Sequence, residues 1–401
     1  MTQATQTFHA STTSDAKLIG AVSAAHFVSH YYILLLPPLF AFVRTDYGVS
    51  YTQLGFALAA FNIVSAAVQT PAGFLVDRLG ARILLIGGLL LGAAAFAIAA
   101  AVDSFWLLVA MFGFAGLANT VYHPADYAML SHYVTPERIG KAYSIHTFAG
   151  MLGSAAAPGS LLLMQSYWGW RGAFLGASLL GVVAALPLLA VREERMASGE
   201  TKRHSTASEA VGWRILLARP ILLNLAFFVL LALTAGGLQN YSVVALGALY
   251  GTPPAAANAA LTGYLLFSAI GVLAGGVLAT HTGRHGTVAA AGLLMVAVLA
   301  ALIAGVDLGN LLLILAMSIG GFFNGVIMPS RDMIVRAVTP RGSFGKVFGF
   351  VTTGFNIGGI VSPLMFGAML DSGRPQWVFL LAAVLSFASI ITVVGAKRRK
   401  A

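Results

Sequence analysis

Gly73-Phe74-Leu75-Val76-Asp77-Arg78-Leu79-Gly80-Ala81-Arg82 separates two long apolar stretches, 52–76 and 82–101. A carboxylate and two guanidinium groups packed this closely have no place in hydrocarbon, so the segment reads as a turn at a membrane surface. Gly73 and Gly80 allow backbones to approach closely there. Each flanking stretch supplies the roughly 20 apolar residues that a bilayer-spanning helix needs.

Working outward, the same pattern recurs along the chain. Twelve candidate spans run at roughly 18–43, 52–76, 82–101, 105–133, 140–166, 170–191, 217–247, 255–280, 286–305, 309–337, 345–370 and 376–396. Pro37, Pro38, Pro124, Pro158, Pro329 and Pro363 fall inside them, which packed membrane helices tolerate. The first 17 residues are polar and lead straight into a long span, so the first helix is read as retained rather than cleaved. Of 401 residues, 58% are hydrophobic and only 9% are charged, whereas a soluble domain carries about 25% charged residues. A soluble enzyme is thereby excluded. The absence of cysteine rules out disulfides, thiolate metal sites and cysteine nucleophiles. No phosphate-cradling Gly-Lys-Ser/Thr loop is present, which argues against direct ATP drive. No Ser/His/Asp triad can be specified, and no cofactor is expected.

The net charge of +10 is explained by topology. Nineteen of the 23 basic residues fall in even-numbered loops and the two termini. Arg44, Arg171 and Arg374 lie in odd-numbered loops, and Arg331 lies inside span 10. The positive-inside rule places both termini in the cytoplasm. Nucleic acid is not needed to account for the excess of base.

The halves repeat. Gly276-Val-Leu-Ala-Thr280-His281-Thr-Gly283-Arg-His285 is a weaker copy of 73–82 at an offset of 203, and Gly140-Lys141, Pro158 and Phe174 match Gly345-Lys346, Pro363 and Phe379 at 205. The organisation is therefore a tail (1–17), a six-helix bundle (18–191), a basic linker (192–216), a second six-helix bundle (217–396) and a basic tail (397–401). Parallel repeats of this kind place a substrate near mid-membrane between halves that rock about it.

The segment 73–82, with its weaker copy, resembles the signature loop between helices 2 and 3 of the major facilitator superfamily. The resemblance implies an all-α fold of twelve transmembrane helices in two six-helix repeats, with spans 1, 4, 7 and 10 lining a cavity. A narrower resemblance, to the fosmidomycin-resistance branch of bacterial efflux proteins, rests on Ala25-His26, the stretch Tyr47 to Gly55, Gln69-Thr-Pro71, Val121-Tyr-His123-Pro124 and Gly150…Gly153…Pro158. That branch tends to have an acidic residue where this chain has His30.

Polar residues inside spans are costly and point to a cavity or a partner. His26 and His30 share one face of span 1, and Asn119, His123 and Asp126 form one stripe on span 4. Asn324, Met328 and Arg331 repeat that spacing on span 10, so the repeat sets an acid, Asp126, against a base, Arg331. Given the fold, Arg331 is expected to hold the anionic part of a substrate and Asp126, aided by His123, the coupling proton. Asp332 adds a second carboxylate. Two plainer readings stay open: Asp126 and Arg331 form a structural ion pair, or Arg331 pairs locally with Asp332. His26, His30, His123 and His146 suit proton or substrate contact, packing, or metal. No carboxylate sits with the pair on span 1 itself, and no metal site is expected. Asn119, Asn324, Gln239, Asn240, Tyr241 and Tyr264 complete the substrate candidates. Gly73, Asp77, Arg78, Gly80 and Arg82 are the expected cytoplasmic gate, a latch between halves or a solvated topogenic loop.

The expectation is a multi-pass inner-membrane secondary transporter, a monomer whose partners are protons, lipid and a small molecule. It exports an anionic or amphiphilic compound, such as a drug or phosphonate. The alternatives are a proton symporter importing an organic anion, and a receptor or assembly partner without turnover.

Overall fold

The computed structural model describes residues 12–135, 138–191, 213–340 and 343–395. No strand occurs among the described residues. Helix α1 comprises Thr12–Ile33 and Phe40–Tyr47, joined by a 3₁₀ turn at Pro37–Leu39. Two consecutive prolines remove two backbone donors there and end the first arm. Then follow α2 (Tyr51–Leu79), α3 (Ala81–Ala101) and α4 (Phe105–Tyr133). The next helical segment, Ile139–Leu189, is 51 residues long and holds two spans. They meet at Gly169, whose φ of 69° breaks the helix; residues 139–168 are α5 and 170–189 are α6. A loop was expected between these spans, and a left-handed glycine takes its place.

In the second half α7 comprises Arg219–Gly236 and Ser242–Tyr250, joined by a π turn at Gly237–Tyr241. It is followed by α8 (Pro254–His281), α9 (His285–Gly305), α10 (Gly309–Val338), α11 (Phe344–Asp371) and α12 (Gln376–Gly395). The twelve spans are thus all present. Residues 192–212 of the expected linker (192–216) and the whole basic tail (397–401) lie outside the described residues.

Packing repeats between the halves. α1 packs on α5 as α7 packs on α11, α2 on α4 as α8 on α10, and α3 on α6 as α9 on α12. Between the halves, α2 meets α11 and α5 meets α8. One repeated contact shows how closely the backbones approach. A Cβ on Gly116 of α4 would collide with the Phe61 carbonyl of α2, and a Cβ on Gly321 of α10 with the Tyr264 carbonyl of α8. Backbone cannot step aside as a side chain can. Gly321→Ala is therefore expected to cost about 1–3 kcal/mol, read as a lower melting temperature in detergent; an unchanged melt would show that this contact is looser than the structure has it.

The two ends of the molecule differ. At the end away from the basic loops the halves close on each other. The Pro37–Leu39 turn touches the Gly237–Tyr241 turn, and the Phe40 and Tyr241 rings lie 5.2 Å apart. Within the second half, the Tyr241 hydroxyl donates to the Pro363 carbonyl at 2.6 Å. The Asp371 carboxylate, at the end of α11, accepts from the Tyr51 and Thr52 backbone N–H groups at 2.8 Å and from the Thr52 hydroxyl at 2.6 Å. An anion capping the N-terminus of α2 is favourable for its dipole and its unpaired donors. Towards the basic loops, α5 and α8 part around a cleft of about 410 Å³, lined by Tyr143, Thr147, Met151, Val272 and Pro329 among others.

Candidate functional site

The first half holds a buried polar cluster built from three helices. α1 contributes His26 and His30, α4 contributes His123 and Asp126, and α5 contributes His146. Small residues bring α5 close enough. A Cβ on Gly150 would strike the His26 and His30 rings, and one on Gly153 the Phe27 carbonyl. This is the small-residue packing that lets membrane helices approach.

Asp126 is wholly buried. Its Oδ2 lies 3.3 Å from His26 Nδ1 and 3.7 Å from His146 Nε2. The His26 and His146 rings stack at 3.8 Å, and His30 and His123 meet His26 edge-on at 4.6 and 5.1 Å. His30 Nδ1 is 3.3 Å from the Ser154 hydroxyl of α5. His123 is exposed, towards Tyr127. His26 Nδ1, both Asp126 oxygens and both His146 nitrogens are buried without an aligned hydrogen bond. Among the described residues, the ion-pair partners of Asp126 are these two imidazoles.

This differs from the expected neighbourhood in two ways. Asp126 was placed with His123 from its own helix, but its nearest imidazoles come from α1 and α5. The helix-1 histidine pair was read as lacking a carboxylate, and folding brings one to it from α4.

In the second half Arg331 donates through Nε and a terminal nitrogen to Asp332 Oδ1, both at 2.9 Å. Its guanidinium lies 4.9 Å from the Phe228 ring centroid and 5.2 Å from that of Phe355. Of the readings left open, local pairing with Asp332 is the one present. A long arginine side chain reaches the next residue on its own helix without any help from the opposite half.

The other candidates fall into three places. Asn119 donates to the Ser65 hydroxyl at 3.4 Å and Asn324 to Ser268 at 3.2 Å. Each ties α4 to α2 or α10 to α8, at repeat-equivalent positions. Gln239 and Asn240 occupy the π turn of α7, with Gln239 beside the buried Tyr264 hydroxyl. Tyr241 belongs to the closed end. In the gate segment Gly80 has φ 93°, and Arg82 donates to the Leu188 and Leu189 carbonyls at 2.7 and 2.6 Å. These bonds cap α6 within the same half. Arg78 is exposed, and the Asp77 side chain lies outside the described residues. Asp371 was not foreseen, because its partners are some 320 positions away and no local pattern joins them.

A sequence profile described as the Major Facilitator Superfamily matches residues 22–252 and 225–401. The chain belongs to the major facilitator superfamily. Membership makes it a multi-pass membrane transporter rather than an enzyme. Among superfamily relatives, it is 26% identical over 399 residues to the probable sulfoacetate transporter SauU of Cupriavidus necator, covering 92% of this chain and 90% of that protein. It is 22% identical over 384 residues to the fosmidomycin resistance protein of Escherichia coli, covering 94% and 92%. A match to the probable L-galactonate transporter of Escherichia coli, 26% identical, spans 36% of this chain and 32% of that one. In fold, it matches a bacterial homologue of the human lysosomal transporter Spinster, inward-facing and unoccupied, with TM-score 0.80 and 15% identity over 98% of this chain and all of that one (100%). The nucleoside transporter NupG matches with TM-score 0.77, also at 15% identity, over 95% and 100%.

Proposed function

We propose that this superfamily member is a proton-coupled secondary transporter that exports a small anionic or amphiphilic compound by alternating access. Both termini are cytoplasmic and the working unit is a monomer. Asp126 with its imidazoles carries the proton, and Arg331 receives the anionic group of the substrate. The carrying observation is that Asp126 is wholly buried and that, among the described residues, its ion-pair partners are imidazoles and not a lysine or arginine. An ionised carboxylate buried without neutralisation is costly. A single proton held anywhere in this cluster, on the carboxylate or on one ring, removes that cost. The cluster is thus built to carry one proton between the two faces of the membrane as the halves rock.

Arg331 supports the substrate half of the reading. Its guanidinium lies beside an adjoining pair of aromatic rings and is held by an acid that is itself partly exposed. An incoming anion competes with Asp332 for the same fork of donors, while the rings suit an apolar substituent. The relatives named for fosmidomycin and sulfoacetate fit a small anion. A second reading is proton-driven import of an organic anion through the same site; the full-length similarity to the probable sulfoacetate transporter supports the organic anion.

Fosmidomycin and sulfoacetate serve as probe anions. Counterflow in proteoliposomes under opposite imposed pH gradients separates the two directions. Binding is read by thermal shift, because a ligand held at about 100 times its Kd stabilises by about 2.7 kcal/mol. Arg331→Ala is expected to abolish the shift for the probe anions and leave the unliganded melt within a few degrees of the wild type's; retained shifts would remove Arg331 from the site.

A further inference from the structure

We propose that His26, His123 and His146, with Asp126 between them, form a binding site for one divalent first-row transition metal ion, with Zn²⁺ and Co²⁺ as reference ions. Ligand atoms from the three histidines all lie within 4.8 Å of one another. Asp126 Oδ2 stands 3.3 and 3.7 Å from two of those rings' nitrogens. In a tetrahedral site with bonds of about 2.0–2.2 Å, neighbouring ligand atoms are roughly 3.3–3.6 Å apart. The carboxylate–imidazole spacings are therefore already close to those of a metal site, and binding requires the stacked His26 and His146 rings to turn so that their in-plane lone pairs converge on the ion.

A second observation points the same way. Buried polar atoms in folded proteins nearly always have partners, yet His26 Nδ1, both His146 nitrogens and both Asp126 oxygens have none aligned. A cation at their centre satisfies several of these lone pairs at once. The donor set is imidazole nitrogen with one carboxylate, which suits zinc, cobalt or nickel. Calcium and magnesium take oxygen ligands. His123, exposed where the other two histidines are buried, gives the ion a way in. The repeat supplies an internal contrast, because the equivalent positions of the second half are Met328, Arg331 and Val351. They offer no such set, so the repeat does not duplicate the site.

Metal and proton compete for the same lone pairs, so the ion is expected to block proton movement through the cluster. That consequence rests on the proton-coupling reading; binding itself does not. The experiment titrates purified protein, free of added histidine tags, with Co²⁺. One ion per chain is expected, with the visible absorption of tetrahedral cobalt, displaced by Zn²⁺ and unaffected by excess Mg²⁺ or Ca²⁺. His123→Gln, at the exposed edge of the cluster, is expected to lose the spectrum while keeping its melt, and His146→Gln, on the buried side, is expected to lose it too. Wild-type binding no greater than that of the His26→Gln/His123→Gln double variant overturns the proposal, even if proton movement still depends on Asp126. A cobalt spectrum that needs these histidines upholds the site, even if the ion leaves proton movement untouched and the proton reading falls.

Discussion

Asp371→Ala is expected to loosen the closed end of the molecule and shift the protein towards the conformation open on that side. The Asp371 carboxylate holds three donors at the start of α2, all belonging to the other half. Charge-assisted bonds to a helix N-terminus contribute about 1–2 kcal/mol after allowance for solvent. Every 1.4 kcal/mol is tenfold, so the balance between the two conformations moves by roughly five- to thirty-fold. Because the chain has no cysteine, Thr45→Cys with Arg374→Cys gives a clean spin-labelled pair, one label on each half near the closed end. A second, longer distance is expected to grow in Asp371→Ala, less in Asp371→Asn, which keeps one acceptor. An identical distance distribution in all three would show that the cap does not hold the halves together.

Asp126→Asn is expected to have the larger effect on transport. Asparagine has the same shape but cannot exchange a proton, so the cluster loses its carrier while its packing is retained. Gradient-driven movement of the probe anions is expected to fall to the level of protein-free liposomes, while one-for-one exchange of the same anions continues. The split matters, because a merely structural role for Asp126 predicts that both activities fall together with the melting temperature. Gradient-driven transport at the wild-type rate would rule out Asp126 as the carrier.

The parts of this architecture that lipid dictates were legible in the sequence. Apolar runs of spanning length, the turn at 73–82 and the one-sided base can be read because hydrocarbon tolerates so few alternatives. The repeat then matched Asp126 to Arg331 correctly as equivalent positions. It did not show their partners. Helical spacing fixes the face on which a side chain lies, but not which neighbouring helix reaches it. Asp126 meets His26 and His146 because Gly150 and Gly153 admit α5 against α1, and in the sequence those glycines carried a family resemblance without showing which helix they face. Arg331 turns to Asp332 because the nearest acid is on its own helix, and spacing alone weighted that no more than a partner across the cavity. Asn119 and Asn324 looked like cavity residues by their stripe, yet each reaches a serine on a neighbouring helix. The Asp371 cap and the Gly169 kink depend on tertiary placement and on a single backbone angle, and neither leaves a periodic trace.

The central claim is that a proton moves through the Asp126 cluster when substrate moves. It is tested most directly by following the internal pH of sealed proteoliposomes, with a trapped dye, while a probe anion is added outside without any imposed gradient. The expected result is a pH change that depends on the anion, opposite in direction to anion movement, and absent in Asp126→Asn. Anion uptake with no pH change in the wild type, or an equal change in the asparagine variant, would contradict the claim.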